Sequence, residues 1–192
     1  MKKLFSISLC VALSFTAVAQ QSITLSDLWQ RYSFYAGGIS GLRSMNDGAH
    51  YSATTQKTID KYSYESGEKV ATLFDIASAE GLNGFDGYSF NADETAALLE
   101  TETESIYRYS SRSVVWLADF SSGTAKKLRD EKVRYATYSP DGLHVAYVLG
   151  NNLYAYDIAA DAHIQITDDG AFNSIINGAT DWVYEEEFAL VS

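Results

Sequence analysis

A pattern of turns and short strands recurs along this chain, and it constrains the fold more than any other feature of the sequence. Three turn-forming stretches contain Asp47, Asp93 and Asp141, which are 46 and 48 residues apart. Asp accepts hydrogen bonds from the backbone of its own turn, and a following Gly, as in two of these stretches, tolerates a positive φ angle. The sequence therefore contains one structural unit three times.

The same succession of strands follows each turn. A strand of alternating or apolar residues comes first, a second strand ends in a small-residue turn, and a short third strand completes the unit. The predicted strands after the Asp turns are 49–54, 95–100 and 143–149, and the predicted short strands are 69–74, 125–128 and 163–167. This order at a period of about 45 to 50 residues is typical of β-propeller blades. Three unrelated hairpins in a β-sandwich are the alternative, which the shared order of features disfavours.

The number of repeats predicts an incomplete propeller. A closed propeller has about 4 to 8 blades, whereas this sequence supplies three and the start of a fourth. We therefore predict an all-β fold, a partial β-propeller over residues 20–192. Uncovered sheet faces and open edges promote association, so we expect the isolated fragment to be poorly soluble.

The first nineteen residues have a different character. Lys2 and Lys3 precede an apolar stretch, and Ala17 and Ala19 provide the small side chains of a signal-peptidase site. We predict a secretory signal peptide over residues 1–19 and export to a periplasmic or extracellular space. The apolar stretch is shorter than the roughly 20 residues that span a bilayer, and no later segment predicts a membrane span.

The single cysteine and the charge balance exclude several classes of protein. Cys10 lies in the predicted signal peptide, so the mature chain has no disulfide; a lipoprotein is the disfavoured alternative, because Leu9 is bulky and the apolar run continues. The 25 acidic residues outnumber the 14 Lys and Arg, which excludes a basic nucleic-acid binder. Without a Cys and His cluster or a phosphate-binding Gly loop, the sequence predicts no metal and no cofactor.

Blade two departs from the repeat by an insertion. The interval from Asp93 to Asp119 is 26 residues, ten more than the matching interval of blade three. The extra residues fall around 103–112, in a hairpin, and lengthened loops on a rigid scaffold are common binding sites. Arg108 lies between two tyrosines, where its guanidinium can bind a carbonyl or carboxylate. A solvated Arg on an exposed hairpin is the alternative.

An acidic segment at residues 181–188 also interrupts the repeat. Thr180 or Asp181 can cap a short helical turn that carries three consecutive glutamates. Adjacent carboxylates on a fixed turn form a receptor for an ammonium group. The neighbouring aromatic side chains are expected to form a base for them: Trp182, Tyr184 and Phe188. A solvated acidic turn is the alternative.

These residues resemble the double-Glu motif of the dipeptidyl peptidase IV family of serine exopeptidases, in residues 181–188 preceded by Asn177 and Gly178. Residues 24–29 resemble the opening helix of that family, and residues 40–51 resemble its first blade. In the family, an eight-bladed propeller sits over an α/β-hydrolase domain, and the enzyme removes dipeptides with Pro or Ala in second position from peptide N-termini.

The resemblance implies roles for three residues. Glu186 and Glu187 match the pair that binds the free α-amino group of the substrate, and Arg108 resembles the Arg that holds the carbonyl of its first residue. Arg112 is the rival for that last role. The implied partners are peptides with a free N-terminus, a C-terminal hydrolase domain and a second copy in a homodimer.

The catalytic residues of acyl transfer are not found in this sequence. A hydrolase nucleophile lies in a G-x-S-x-G turn; Ser40 follows Gly38, but Leu42 occupies the second Gly position. We therefore expect the catalytic domain to lie beyond Ser192 and this chain alone to be inactive. A propeller-type binding module without catalysis is the alternative function, and a propeller-capped oligopeptidase is a third, which the paired glutamates disfavour.

Overall fold

The computed structural model describes residues 22–190, so the predicted signal peptide over 1–19 lies outside the described residues. The chain divides at Gly38 into two units. In the first unit, helix α1 (Leu25–Trp29) begins with a capping box: Thr24 accepts from the amide of Asp27, whose carboxylate accepts from Thr24 in return. The short N-terminal helix is thereby confirmed. Within residues 22–190, no helix is long and apolar enough to cross a membrane.

The second unit contains three four-stranded antiparallel sheets, each with its strands in sequence order. Blade one contains β1 (Arg43–Ser44), β2 (His50–Thr54), β3 (Thr58–Ser63) and β4 (Lys69–Asp75), followed by a 3-10 turn at Ile76–Ser78. Blade two contains β5 (Gly87–Phe90), β6 (Ala96–Ser105), β7 (Ser111–Asp119) and β8 (Thr124–Lys127). Blade three contains β9 (Arg134–Tyr138), β10 (His144–Leu149), β11 (Asn152–Asp157) and β12 (Ala162–Gln165).

Three consecutive four-stranded meanders confirm the predicted partial β-propeller. The predicted strands after the Asp turns start one residue early and otherwise coincide with β2, β10 and the first part of β6. After β12, the described residues contain an isolated bridge between Ala171 and Ile175 and helix α2 (Trp182–Glu186), and no strand of a fourth blade.

Turn chemistry explains why β2 and β10, the second strands of blades one and three, begin next to the predicted Asp turns. Asp47 accepts hydrogen bonds from the amides of Ala49 and His50, both at 3.0 Å. Asp141 accepts from the amide of Leu143 at 3.0 Å. Gly48 and Gly142 follow with φ angles of 66° and 71°, which a side chain disfavours.

The turn of blade two uses a different residue from the one expected. Asn91 accepts from the amides of Thr95 and Ala96 at 2.9 and 3.0 Å, in the role that the sequence analysis assigned to Asp93. Glu94 adopts the positive φ, at 55°, and its carboxylate accepts from the amide of Asn46 in the blade-one turn at 2.8 Å. An Asn side chain serves the turn as Asp does, because both place an acceptor at the same distance from the backbone.

Two hydrophobic clusters fill the spaces between neighbouring blades. The cluster between blades one and two includes Ile59, Phe74 and Leu99, and the cluster between blades two and three includes Leu98 and Val145. Leu98 and Leu99 are consecutive on β6 and therefore face opposite sides of the sheet. Blade two is thus buried on both faces.

The hairpin between β6 and β7 is the longest in the described chain and contains the predicted insertion. Its strands have 10 and 9 residues, whereas β10 and β11 have 6 each. The pairing register shifts between Thr101 and Glu104, then resumes until Ser105 faces Ser111. The hairpin tip, residues 106–110, lies beyond that pair.

Candidate functional site

Helix α2 is a five-residue element that begins where the sequence predicts. Asp181 is its N-cap and accepts from the amides of Val183 at 2.9 Å and Tyr184 at 3.2 Å. The helix buries Glu185 and Glu186, which are 3% and 4% exposed. A carboxylate loses its hydration when it is buried, so each needs donors from the protein.

Glu186 obtains its donors from the hairpin tip of blade two, 76 residues away in sequence. Its Oε1 accepts from the amide of Tyr109 at 3.0 Å, and from the amide and hydroxyl of Ser110 at 3.2 and 3.3 Å. No donor among the described residues reaches its Oε2. The acidic segment and the blade-two insertion therefore meet in one place, with one oxygen of Glu186 engaged.

Glu187 has a different environment. It is the C-cap of α2, its amide donates to the carbonyl of Val183 at 3.0 Å, and its side chain is exposed. Within residues 22–190, its carboxylate accepts no hydrogen bond. Two adjacent carboxylates at this helix end thus include one that is buried and held and one that is open to solvent.

Arg108 and Arg112, the two candidates for a substrate-binding Arg, differ in how their charges are used. The guanidinium of Arg108 lies over the Tyr109 ring, 5.6 Å from its centroid, and the side chain is exposed. It contacts no carboxylate in the part of the chain that the structure describes. Arg112 donates from Nε to Glu104 at 2.7 Å, and Lys132 lies 3.7 Å from the same oxygen. Arg112 is thus already paired with Glu104, whereas Arg108 lies over the ring of Tyr109, whose amide donates to Glu186.

Arg134, which no sequence pattern indicates, binds the first glutamate of the run. Arg134, the first residue of β9, donates from Nη2 to Glu185 Oε1 at 2.7 Å across 51 residues of sequence. The same Nη2 lies 2.6 Å from the hydroxyl of Tyr135, and the guanidinium is 4.8 Å from that ring. A lone Arg at a strand start has no local signature, so only its contact identifies it.

The aromatic neighbours do not form the expected base beneath the glutamates. Trp182, Tyr184 and Phe188 are each at least half exposed. Trp182 makes an edge contact with Tyr107 of the hairpin tip, with 6.4 Å between ring centroids. Hydrogen bonds hold Glu186 and an ion pair holds Glu185, because a buried carboxylate requires polar partners that aromatic faces cannot supply.

An open cavity of about 210 Å³ adjoins this arrangement. Its lining combines Ile106 and Tyr107 from the hairpin tip, Arg134 from blade three, and Trp182 and Glu185 from α2. The site thus has walls from two blades and the helix, at one end of the propeller.

The histidines lie in blade strands and contact structural partners. His50 Nδ1 lies 2.7 Å from Asp47, and His163 Nδ1 lies 2.9 Å from the hydroxyl of Tyr147. His144 Nε2 is 3.8 Å from Asp157. In residues 22–190, no group of three His, Cys, Asp or Glu side chains could hold a metal ion.

Fold and site together define a partial β-propeller domain with an acidic helix held against an extended blade hairpin at one end. Residues 91–191, more than half of the chain, match the profile of the dipeptidyl peptidase IV (DPP IV) N-terminal region. The chain belongs to the dipeptidyl peptidase IV family.

Known proteins with similar sequences and structures include peptidases from animals, fungi and bacteria. Human prolyl endopeptidase FAP is 29% identical over 173 residues, which are 87% of this chain and 22% of that protein. A probable dipeptidyl-aminopeptidase B of Chaetomium globosum is 32% identical over 139 residues, 70% of this chain and 14% of the relative. The crystal structure of Porphyromonas gingivalis dipeptidyl peptidase 4 superposes with a TM-score of 0.77 at 38% identity, covering 90% of this chain and 26% of that one.

The chain therefore spans about a fifth of the length of the curated relatives that it matches. The family match concerns the N-terminal region of the dipeptidyl peptidase IV family.

Proposed function

We propose that this chain is the substrate-gating propeller part of a dipeptidyl peptidase, a serine hydrolase that removes dipeptides with Pro or Ala in second position from peptide N-termini. In this proposal, Glu186 and Glu187 bind the free α-amino group of the substrate, and Arg108 binds the carbonyl of its first residue. The signal peptide over 1–19, export and homodimer formation stay predictions.

The observation that carries the proposal is the contact between Glu186 and the hairpin tip. Two segments that are separated by 76 residues of sequence, and that each interrupt the blade repeat, come together through the amides of Tyr109 and Ser110. Three donors on one oxygen hold the Glu186 carboxylate in a single orientation. A carboxylate held in advance binds an ammonium group at a lower entropic cost than a mobile one.

The charges around this contact suit the end of a peptide. The second oxygen of Glu186 and the exposed carboxylate of Glu187 offer negative charge to an ammonium group, and Arg108 offers a guanidinium donor to a nearby carbonyl. An ammonium bound at a fixed place sets how far the peptide enters, so the same bond is presented for cleavage each time. Internal peptide segments lack the charge and leave the carboxylates unpaired.

The test compares glutamine variants of the two glutamates with the wild type, in the full-length gene product. In the variants Glu186→Gln and Glu187→Gln, we expect kcat/KM for a Gly-Pro chromogenic substrate to fall by a factor of about one hundred or more, because a desolvated charge pair is lost. Glu65→Gln is the matched control. Glu65 is an exposed glutamate in the β3–β4 turn of blade one, at the end of that blade opposite to its β2–β3 turn.

The same assay decides between the arginines and between the candidate functions. Arg108→Gln should lower kcat/KM, whereas Arg112→Gln should leave it nearly unchanged. If Glu186→Gln and Glu187→Gln retain wild-type rates, the ammonium site is rejected. A full-length product that binds Gly-Pro peptides by calorimetry but does not hydrolyse them would instead favour the binding module.

A further inference from the structure

Helix α2 is too short to hold its own shape, so its orientation depends on contacts with the blades. It has five residues, and isolated helices of that length are not stable in water. Consecutive helical residues point about 100° apart, which lets Glu185 and Glu186 face different neighbours. Glu186 binds the hairpin tip of blade two, and Glu185 binds Arg134 on the first strand of blade three.

The contact between Arg134 and Glu185 has the features of a specific ion pair. Glu185 is 3% exposed, and the atoms Arg134 Nη2 and Glu185 Oε1 are 2.7 Å apart. The Arg134 side chain is 21% exposed, and its Nε is buried without a hydrogen-bond partner. A buried donor without a partner is unfavourable, so Nε does not favour this position of the guanidinium. The contacts that favour it are the ion pair with Glu185 and the Tyr135 ring.

We propose that Arg134 is a positioning residue for the ammonium site. Through Glu185 it sets the rotation of α2, and it thereby keeps the carboxylates of Glu186 and Glu187 turned toward the substrate amine. The ion pair also neutralises Glu185, so two of the three consecutive glutamates stay available to an ammonium group. This inference rests on the proposed function, and it makes amine binding depend on blade three as well as on blade two.

The experiment uses the full-length gene product and separates substrate binding from chemistry. In Arg134→Met, we expect KM for a Gly-Pro chromogenic substrate to rise at least tenfold while kcat changes less than threefold. The rate of labelling by a small fluorophosphonate, which has no amine, should not change. Arg134→Lys keeps the charge and should recover part of the loss.

Arg129→Met is the matched control, because the Arg129 side chain is also 21% exposed and is also ion-paired, to Glu131 at 2.9 Å. Its KM should stay within threefold of the wild type. Amide hydrogen exchange supplies a readout that does not need activity: in Arg134→Met, exchange at residues 183–187 should quicken, while β10 should exchange as before.

The outcomes separate the two ideas. An active wild type whose KM is unchanged in Arg134→Met would overturn the positioning role and leave the proposed function standing. A wild type without dipeptidyl peptidase activity would overturn the proposed function and the amine-binding part of this inference. Unchanged exchange at residues 183–187 in Arg134→Met would overturn the anchoring of α2 by Arg134, whatever the activity.

Discussion

Blades two and three are copies of one repeating unit, yet they differ where the candidate site lies. The β10–β11 hairpin of blade three closes with Gly150 and Asn151 directly after the facing pair Leu149 and Asn152. The β6–β7 hairpin of blade two continues past a register shift and ends in the hairpin tip. Only the longer hairpin provides amides for Glu186. The local insertion in blade two thus supplies three donors to Glu186, and the two-residue turn of blade three supplies none.

The two blades also differ in burial. Residues 113–118 of β7 are all buried, because blade two has a hydrophobic cluster on each face. In blade three, the four residues of β12 are all exposed. The hairpin that contacts Glu186 therefore extends from the most enclosed sheet of the described chain, which gives its tip a rigid base.

The largest effect is expected from making blade two resemble blade three. Ser105 faces Ser111 as Leu149 faces Asn152, so Gly-Asn can replace residues 106–110. The exchange removes Arg108 and all three donors to Glu186. We expect kcat/KM of the full-length product for a Gly-Pro substrate to fall at least hundredfold, measured in a steady-state assay.

The control for this exchange lengthens the turn at the other end of the same sheet, by two glycines between Ser121 and Ser122. Activity should stay within about threefold of the wild type, since surface turns tolerate insertion. Normal activity in the variant with the shortened hairpin would contradict the claim that the longer hairpin of blade two is needed for activity.

A smaller effect, on stability, should follow the difference in burial. Leu99 of blade two is fully buried, whereas Leu143 at the start of the blade-three repeat is 58% exposed. Leu99→Ala should lower the free energy of unfolding by about 2–5 kcal/mol through transfer and cavity costs. Leu143→Ala should lower it by less than about 0.5 kcal/mol. Urea denaturation of the matched pair measures both, and equal losses would contradict the burial argument.

The smallest effect concerns the polar contact that joins the two blades at the surface. Asp161 of blade three accepts hydrogen bonds from Tyr156 and, at 3.0 Å, from Lys126 of blade two. These two partners hold the pKa of Asp161 below its ordinary value of 3.8. The carboxylate therefore stabilises the fold above pH 3.8, and this contribution is lost as the pH falls through the lowered pKa.

In Asp161→Asn, that pH-dependent contribution is absent. The melting temperature of the variant should lie slightly below that of the wild type near neutral pH, and the two should converge in acid. The difference should be small, since the Asp161 side chain is 77% exposed and salt screens such a pair. A difference that grew on acidification would contradict the assigned sign.

The sequence by itself determined the features that depend on neighbouring residues. The repeat predicted three blades, because the residues that form each turn and the strand after it are close together in the sequence. The insertion in blade two was visible as extra length. The helical cap at Asp181 could be predicted for the same local reason. The one difference in turn chemistry was also local, since Asn91 accepts the turn hydrogen bonds in blade two in place of Asp93, two residues away.

Only the tertiary structure decided which charged side chains act together. Nothing in three consecutive glutamates shows that Glu185 is paired with Arg134, that Glu186 is held by the hairpin tip, and that Glu187 is open to solvent. These states depend on contacts across 51 and 76 residues of sequence. The packing of the blades brings such distant groups together. A buried carboxylate needs hydrogen-bond donors, and here Glu185 and Glu186 obtain them from side chains and amides of the blades.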